Sequence, residues 1–440
     1  MGLGSQQATV DALSADLSGL THDIFVGRVL PNVRVESPTA MLFQDAGAGD
    51  YRLEGQNMVF AADLEFATGA LATDGKLPDH VGLDAVQGKV TPIRRYRRVA
   101  LDNLVEKQAS GPGAFEDLTD RIFKILWDSW KFMEIRHSVG PSSCLVGVVE
   151  SRSSSTAFVI NDAFGNTDTN PLSHLSVGSI IANWDITATA AINGAGTITD
   201  IDYSTREITV TTAATWESGG VIEVGDLIYF CTTPDISADY FDAERNRGPN
   251  GLGTIVDPAA ALTTVFNIVE GDHARWKPFR KSSVTFDHLE VTEHWQQLHQ
   301  KRGFPVTPQT DEAIAFPSAV AQLARSLMAF QQQAYTGGDL KGGYGKVTIS
   351  AMPITEDGFF YHNVFMTVCR ETLFRVNLGA EADFFSEDGS MWSRIADFDG
   401  KDAYVQEYMN TFCTNRGANS ALTGITTDVT DGDWSNIPDY

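Results

Sequence analysis

Cations are scarce in this sequence: 32 Lys and Arg stand against 57 Asp and Glu among 440 residues, a net charge of −25. A uniformly acidic chain repels phosphate backbones, which argues against sequence-driven nucleic-acid binding and suits solubility among crowded copies. Cysteine occurs four times, as Cys144, Cys231, Cys369 and Cys413, with no CxxC pair. Neither a zinc site nor a disulfide scaffold is signalled, and reduced core thiols are the expectation. Cys144 and Cys231 nevertheless bracket a β-rich stretch and are placed to approach each other where it joins the rest. No apolar run reaches the roughly 18 residues that a membrane-spanning helix needs. Residues 1–20 show neither a basic n-region nor a continuous apolar h-region, and Met1-Gly2-Leu3-Gly4-Ser5-Gln6 misses the myristoylation pattern at Gln6. The expected site of synthesis is a cytoplasm.

Catalytic signatures are lacking too. There is no GxGxxG and no GxSxG nucleophile elbow. Gly337–Lys346 resembles a phosphate loop, but Leu340 stands where the first Gly belongs and Val347 where Ser or Thr belongs, so a flexible loop is expected. Asp397-Phe398-Asp399-Gly400-Lys401-Asp402 lacks the length and terminal Glu of a calcium loop and reads as a turn. His288, His294 and His299 have Glu290 and Glu293 nearby. Successive imidazoles would lie about 120° and 140° apart around a helix, whereas a zinc pair needs i, i+4 spacing. Surface or interface histidines are expected, with no metal site, no cofactor and no acid–base pair that stands out.

What is present is hydrophobic content of 42%, ample for two or three domains. Thr, Ser, Ala and Gly are plentiful, which favours β-rich structure. Residues 1–48 read as an arm, with a short helix around Gln6–Leu20 and strands at Ile24–Leu30 and Val33–Val35. Tyr51–Glu65 and Val90–Ala100 read as the flanks of a hairpin around Thr68–Gly88. That middle is poor core material, and ordering about fifty such residues costs roughly 1–2 kcal/mol each in backbone entropy. If ordered, it is expected to lie on another surface, such as a second subunit.

A long amphipathic helix is expected over Gly113–His137, about 37 Å in length. Glu116, Asp117 and Asp120 load its start, and Lys131, Arg136 and His137 its end, as the helix dipole favours. Phe115, Leu118, Ile122, Ile125, Leu126 and Met133 form one apolar stripe, and Phe123, Trp127 and Trp130 a second patch. A helix so apolar around its girth is packed on two sides.

From Leu145 to Phe230 the period becomes two. Strands are expected at Leu145–Glu150, Thr156–Asn161, Ser179–Trp184, Gly196–Tyr203, Glu207–Thr212 and Asp226–Phe230, the spacing of a small barrel or sandwich inserted between helical regions. Beyond it, helices are expected at Phe286–Lys301 and Pro317–Gln333. Strands are expected at Lys346–Ala351 and Val364–Cys369, mixed strand and helix over Trp392–Phe412, and a last strand at Ala421–Thr426. Arg94-Arg95-Tyr96-Arg97-Arg98 is the one concentrated basic cluster noted, either a solvated strand face or a set of contacts to carboxylates of a neighbouring subunit.

These pieces, in this order, resemble the major capsid protein of tailed double-stranded DNA bacteriophages, the Hong Kong 97-type capsid fold. Short segments are similar as well: Ser176–Ile180, Gly196–Asp202 and Val224–Ile228 in the β region, then Gly251–Val256, Trp276-Lys277-Pro278, Asp399–Val405 and Asn415-Arg416-Gly417. The resemblance implies an α+β chain with an N-terminal arm (1–48), an E-loop hairpin (49–101), and a spine helix with peripheral domain (102–144). An inserted β-barrel or sandwich domain (145–235) follows, then a peripheral segment and connection (236–285). An axial domain (286–384) and a return to the peripheral domain with the tail (385–440) complete it. It implies a structural protein, not an enzyme, that assembles as pentamers and hexamers into an icosahedral shell around packaged DNA, in a virion built in a bacterial cytoplasm. A separate scaffolding protein and a portal are implied partners, a decoration protein is a further one, and no membrane is involved. Arg94, Arg95, Arg97 and Arg98 are the expected inter-subunit contacts. The rivals are an encapsulin-like cargo shell and, from another class, a β-rich hydrolase or glycan-binding protein whose Trp184, Tyr203 and Trp216 stack sugars, although core aromatics explain those residues equally.

Overall fold

The computed structural model describes residues 38–63 (48 apart), 85–102, 130–161 (131 and 155 apart), 175–184, 192–211 (203 and 204 apart), 222–231, 246–334 (283–285 apart), 347–378, 383–384, 393–394 and 399–425. The expected arm elements before residue 38, the hairpin middle at 64–84 and the helix over 113–129 lie outside the described residues. So do Tyr203, Trp216, Gly337–Lys346, Asp397-Phe398 and the chain beyond 425. Two compact units are formed, one from Met1–Glu36, Pro92–Ile135 and Val376–Met409, the other from Ser37–Thr91, Arg136–Arg375 and Asn410–Tyr440.

In the first unit the strand Ile93–Asp102 runs antiparallel to Gly400–Met409, Ile93 opposite Met409 and Asp102 opposite Gly400. Asp383–Phe384 and Ser393–Arg394 pair with the same long strand. The mixture of strand and helix expected over Trp392–Phe412 is corrected: Gly400–Cys413 is one strand of 14 residues. Tyr404, Tyr408, Thr411 and Phe412 supply aromatic and β-branched side chains that fit a pleated surface. Trp130 and residues 132–135 are helical, with Trp130, Met133 and Ile135 buried.

Three sheets of the second unit have separate tasks. Arg52–Glu54, Asn57–Asp63 and Ala85–Val90 form an antiparallel three-stranded sheet. The hairpin expectation is corrected here, because the partner of Asn57–Asp63 is Ala85–Val90 and not the strand that begins at Ile93. Pro92 lies between the two, lacks an N–H and breaks the ladder. Met58, Phe60 and Ala62 are buried, and Phe60 stacks on Phe412 with ring centroids 4.5 Å apart. The base of the hairpin is therefore rooted in the chain's own core.

Residues Leu145–Phe230 contribute six strands that close into an antiparallel barrel. Val146, Val149, Phe158, Ile160, Ile181, Ile198, Ile208 and Ile228 fill it. Register shifts at Val149/Ser151, Asn183/Trp184, Thr209/Val210 and Ile228/Tyr229 bend the strands as closure requires. Two turns repeat one design. Leu175-Ser176-Val177-Gly178-Ser179 and Ile222-Glu223-Val224-Gly225-Asp226 each bury the first residue, expose the Val, and hold the Gly at φ +91° or +97°. Gly178 N donates to Ile198 O and Ile198 N to Ser179 O; Gly225 N donates to Val149 O and Val149 N to Asp226 O, all at 2.8 Å. The strands that follow, Ile180–Trp184 and Leu227–Phe230, pair with each other. The barrel thus carries an internal two-fold pattern that is not evident along the sequence, where the copies share little beyond Val-Gly.

The third sheet runs Phe279–Ser282, Ser420–Thr423, Val364–Cys369, Asp311–Ala315, Met352–Glu356, Thr348–Ile349. Helices His288–Arg302 and Pro317–Ala334 bury Val291, Trp295, Ala319, Val320 and Leu323 in one core with Ala313, Ile354, Phe365 and Leu422. The first helix begins as its sequence dictates. The Asp287 side chain accepts from Glu290 N at 2.8 Å, while Phe286 and Val291 share the core cluster around the entry. Gly303, at φ +82°, closes it through an N–H to the His299 carbonyl. Pro317 opens the second helix, where its missing N–H costs nothing.

Candidate subunit interface and its internal support

Strand alternation divides the basic cluster. Arg94 and Tyr96 are exposed on one face of the strand Ile93–Asp102, and Arg95 is buried on the other. Arg95 donates from Nη2 to Glu134 at 2.6 Å, and its Nη1 lies 3.4 Å from Glu407, the residue directly across the ladder. Its guanidinium carbon sits 5.1 Å from the centroid of the Trp130 ring. Arg95 is thus committed within the subunit, a role that spacing alone could not separate from that of Arg94. Arg97 and Arg98 lie opposite Val405 and Tyr404, and their side chains lie outside the described residues.

The outward face is aromatic as well as basic. The Tyr96 and Tyr408 hydroxyls lie 3.1 Å apart, with rings edge to face at 6.4 Å. The hydrogen bond to Tyr408, followed by burial, raises the Tyr96 phenol above its ordinary range, with Arg94 pulling the other way. Exposed Tyr and Arg on a rigid ladder are the residue types enriched in protein interfaces.

The second unit gathers segments that are remote in sequence. Arg416 is fully buried; it donates from Nε to Ile255 O at 2.6 Å, from Nη2 to Thr254 O at 3.3 Å and from Nη1 to Glu270 at 2.7 Å. Arg280 donates to Val256 O at 3.1 Å, to both Glu270 oxygens at 3.0 and 3.2 Å, and to Asp257 at 3.2 Å. Burial alone would raise the Glu270 carboxyl, yet Arg280 and Arg416 together hold it below its ordinary range. Trp276 is fully buried beside them, its ring 6.3 Å from Phe266. Gly251–Val256, Trp276 and Arg416, three stretches noted in the sequence, meet around one guanidinium. At Gly251 a Cβ would collide with the carbonyl oxygens of His137 and Gly140, so the segment packs directly on the end of the helix at 136–139.

The histidine expectation is corrected at one position. His294 is fully buried, with Nε2 2.9 Å from the Ser420 hydroxyl, because it falls on the inner face of its helix. Burial, and then Lys281, pulls its ring down to about 3. Among the described residues no group of three His, Cys, Asp or Glu could hold a metal ion, and no helix is long and apolar enough to cross a membrane. The four cysteines form no disulfide; Cys144 Sγ lies 3.8 Å from His137 Nε2. Trp184, offered as a sugar platform, is buried in the barrel.

Among solved structures the chain is similar to phage capsids and to an encapsulin. Against the capsid asymmetric unit of cyanophage A-1(L) the identity is 9% and the TM-score 0.46, over 84% of this chain and 88% of that one. Against the procapsid of satellite phage P4 with its size determination protein they are 9% and 0.41, over 97% and 98%. Against the SrpI encapsulin complex from Synechococcus elongatus they are 9% and 0.41, over 91% and 92%. No family model matches the chain, and no curated protein matches it in sequence.

Proposed function

We propose that this chain is a structural shell subunit, the major capsid protein of a tailed bacteriophage, which assembles as pentamers and hexamers around double-stranded DNA. The observation that carries the reading is the divided ladder of Ile93–Asp102 with Gly400–Met409. Its inner face is closed by Arg95, Glu407 and Glu134, and its outer face presents Arg94, Tyr96 and Tyr408 to a partner. With net charge −25, carboxylates for Arg94 are abundant on another copy. The order of elements supports the same reading. It assigns 1–48 to an arm, 49–101 to an E-loop, 102–144 to a spine helix and peripheral domain, and 145–235 to an inserted barrel. The remaining segments are 236–285 as peripheral connection, 286–384 as axial domain and 385–440 as the return. A scaffolding protein, a portal and a decoration protein are its proposed partners, with Arg98, an even number of residues from Arg94 along an unbroken strand, joining it at the contact. Electron microscopy of the expressed chain tests the proposal: shells or rings of five and six are expected. Uniform small particles at every concentration and salt would overturn it.

A further inference from the structure

The two-fold pattern of the barrel is broken in one place. Along its central pair of strands Leu227 lies opposite Trp184, and Cys231 N donates to Ile180 O. The same operation relates Ser179 to Asp226 and Phe230 to Asn183. Where one half carries a hydroxyl and a phenyl ring, the other carries a carboxylate and a carboxamide. Both turns close through the same backbone bond, Ser179 N to Ser176 O at 3.0 Å and Asp226 N to Glu223 O at 3.1 Å. Closure therefore does not require the acid. By strand alternation Asp226 and Asn183 share the inner face with Ile228 and Ile181, which fill the barrel.

Asp226 is fully buried and Asn183 is 1% exposed. Asp226 Oδ2 accepts from Asn183 Nδ2 at 3.0 Å and from Glu223 N at 2.8 Å. An ionised carboxylate only accepts, so the carboxamide must offer it the amino group and keep its oxygen as a second acceptor. Asp226 Oδ1 and Asn183 Oδ1 are both buried without a donor, each one carbon removed from the 3.0 Å bond that joins the two groups. No Lys, Arg or His among the described residues bonds to Asp226; Arg152, on the adjoining strand, donates to the Ser154 and Ile222 carbonyls instead. A negative charge without a counter-charge in an apolar interior is far costlier than a neutral polar group. We propose that Asp226 Oδ1 and Asn183 Oδ1 are ligands of a small hard cation, an alkali or alkaline-earth ion, held inside this end of the barrel. One carboxylate and one amide carbonyl are the oxygen donors such ions take. Glu223 and Val224 of the same turn are exposed, and the ion enters past them when the turn opens.

Amide hydrogen exchange of the full chain, read over residues 222–230, tests this in sodium chloride against tetramethylammonium chloride at equal ionic strength, both with EDTA. Calcium chloride replaces EDTA in a further series. Exchange is expected to slow in sodium or in calcium. A tenfold rise in the cation above its Kd should slow it by up to about tenfold, because a ligand of the folded state alone stabilises by mass action. Asp226→Ser, which installs the residue of the twin turn, is expected to abolish the difference, and Asn183→Leu to do so independently. Cooperative melting of each variant in tetramethylammonium chloride shows that its fold is retained. Slowing by sodium identifies an alkali ion as the occupant, and slowing by calcium alone a divalent one. Equal exchange of wild type in all the salts, or the same slowing kept by both variants, would overturn the site.

Discussion

Arg416 Nη1 and Glu270 Oε1 lie 2.7 Å apart across a sequence separation of 146 residues. The contact joins the segment after the long C-terminal strand to the turn that follows Phe266-Asn267, and Arg416 ties both to the carbonyls of Thr254 and Ile255. Removing Arg416 leaves Glu270 to Arg280 and takes the buried donor from the Thr254 and Ile255 carbonyls. Arg416→Met is expected to lower the unfolding free energy by about 3–5 kcal/mol in urea denaturation. A loss below about 1 kcal/mol, the range of exposed pairs, would show that the network is dispensable.

Stability should fall with acid, and the sign follows from His294. Its ring titrates at about 3 in the fold against 6.5 ordinarily. As pH drops below 6.5 the unfolded chain binds a proton that the folded chain refuses, so this contribution is present above 6.5 and is lost down to about 3. One proton gives a slope of at most about 1.4 kcal/mol per pH unit. Glu270, whose carboxyl is held low, adds its own loss only below 4.5. Denaturation midpoints between pH 7 and 5 should shift in wild type and flatten in His294→Gln; an unchanged slope in the variant would place the proton elsewhere.

The divided arginine cluster predicts two different failures. Arg94→Glu should leave stability within about 0.5 kcal/mol of wild type, as a surface change does, and should reduce the yield of assembled particles in sedimentation. Arg95→Met should destabilise the chain by about 3–5 kcal/mol, because it takes the buried Arg95 guanidinium away from Glu134 and Glu407. Equal melting of the two variants would contradict the division.

Gly88 faces the Phe60 ring so closely that a Cβ would overlap three of its carbons. Gly88→Ala should therefore cost about 1–3 kcal/mol by overpacking. Gly88→Ala with Phe60→Leu should recover part of it, measured by thermal unfolding. No recovery would mean that backbone, and not the ring, sets the limit.

Local signals placed many elements well. Val364–Cys369 has the bounds expected from its β-branched run, and the second helix differs from expectation only by Ala334, since Pro317 marks its start. The six barrel strands begin within a few residues of their expected positions, except Ile192–Asp202, whose Gly-Ala start hides its period. Partnership was not legible. Nothing near Ile93 announces that its strand pairs with one three hundred residues later, and Pro92 marks only where the previous pairing stops. Of the site, the sequence showed that basic residues cluster at 94–98, but a strand's two faces differ only once something covers one of them.

The acidic charge, the absence of a catalytic motif, the switch from helical to alternating period near Gly140 and the caps around Asp287 and Gly303 are properties of neighbouring residues, and the sequence by itself determined them. Which cations are answered was decided only by tertiary structure. Arg95 and Arg416 find carboxylates far along the chain, at Glu407 and Glu270, whereas Arg94, next to Arg95 on the same strand, is left exposed. Hydrogen-bond and Coulomb energies depend on distance in space and on burial, and neither is a function of distance along the sequence.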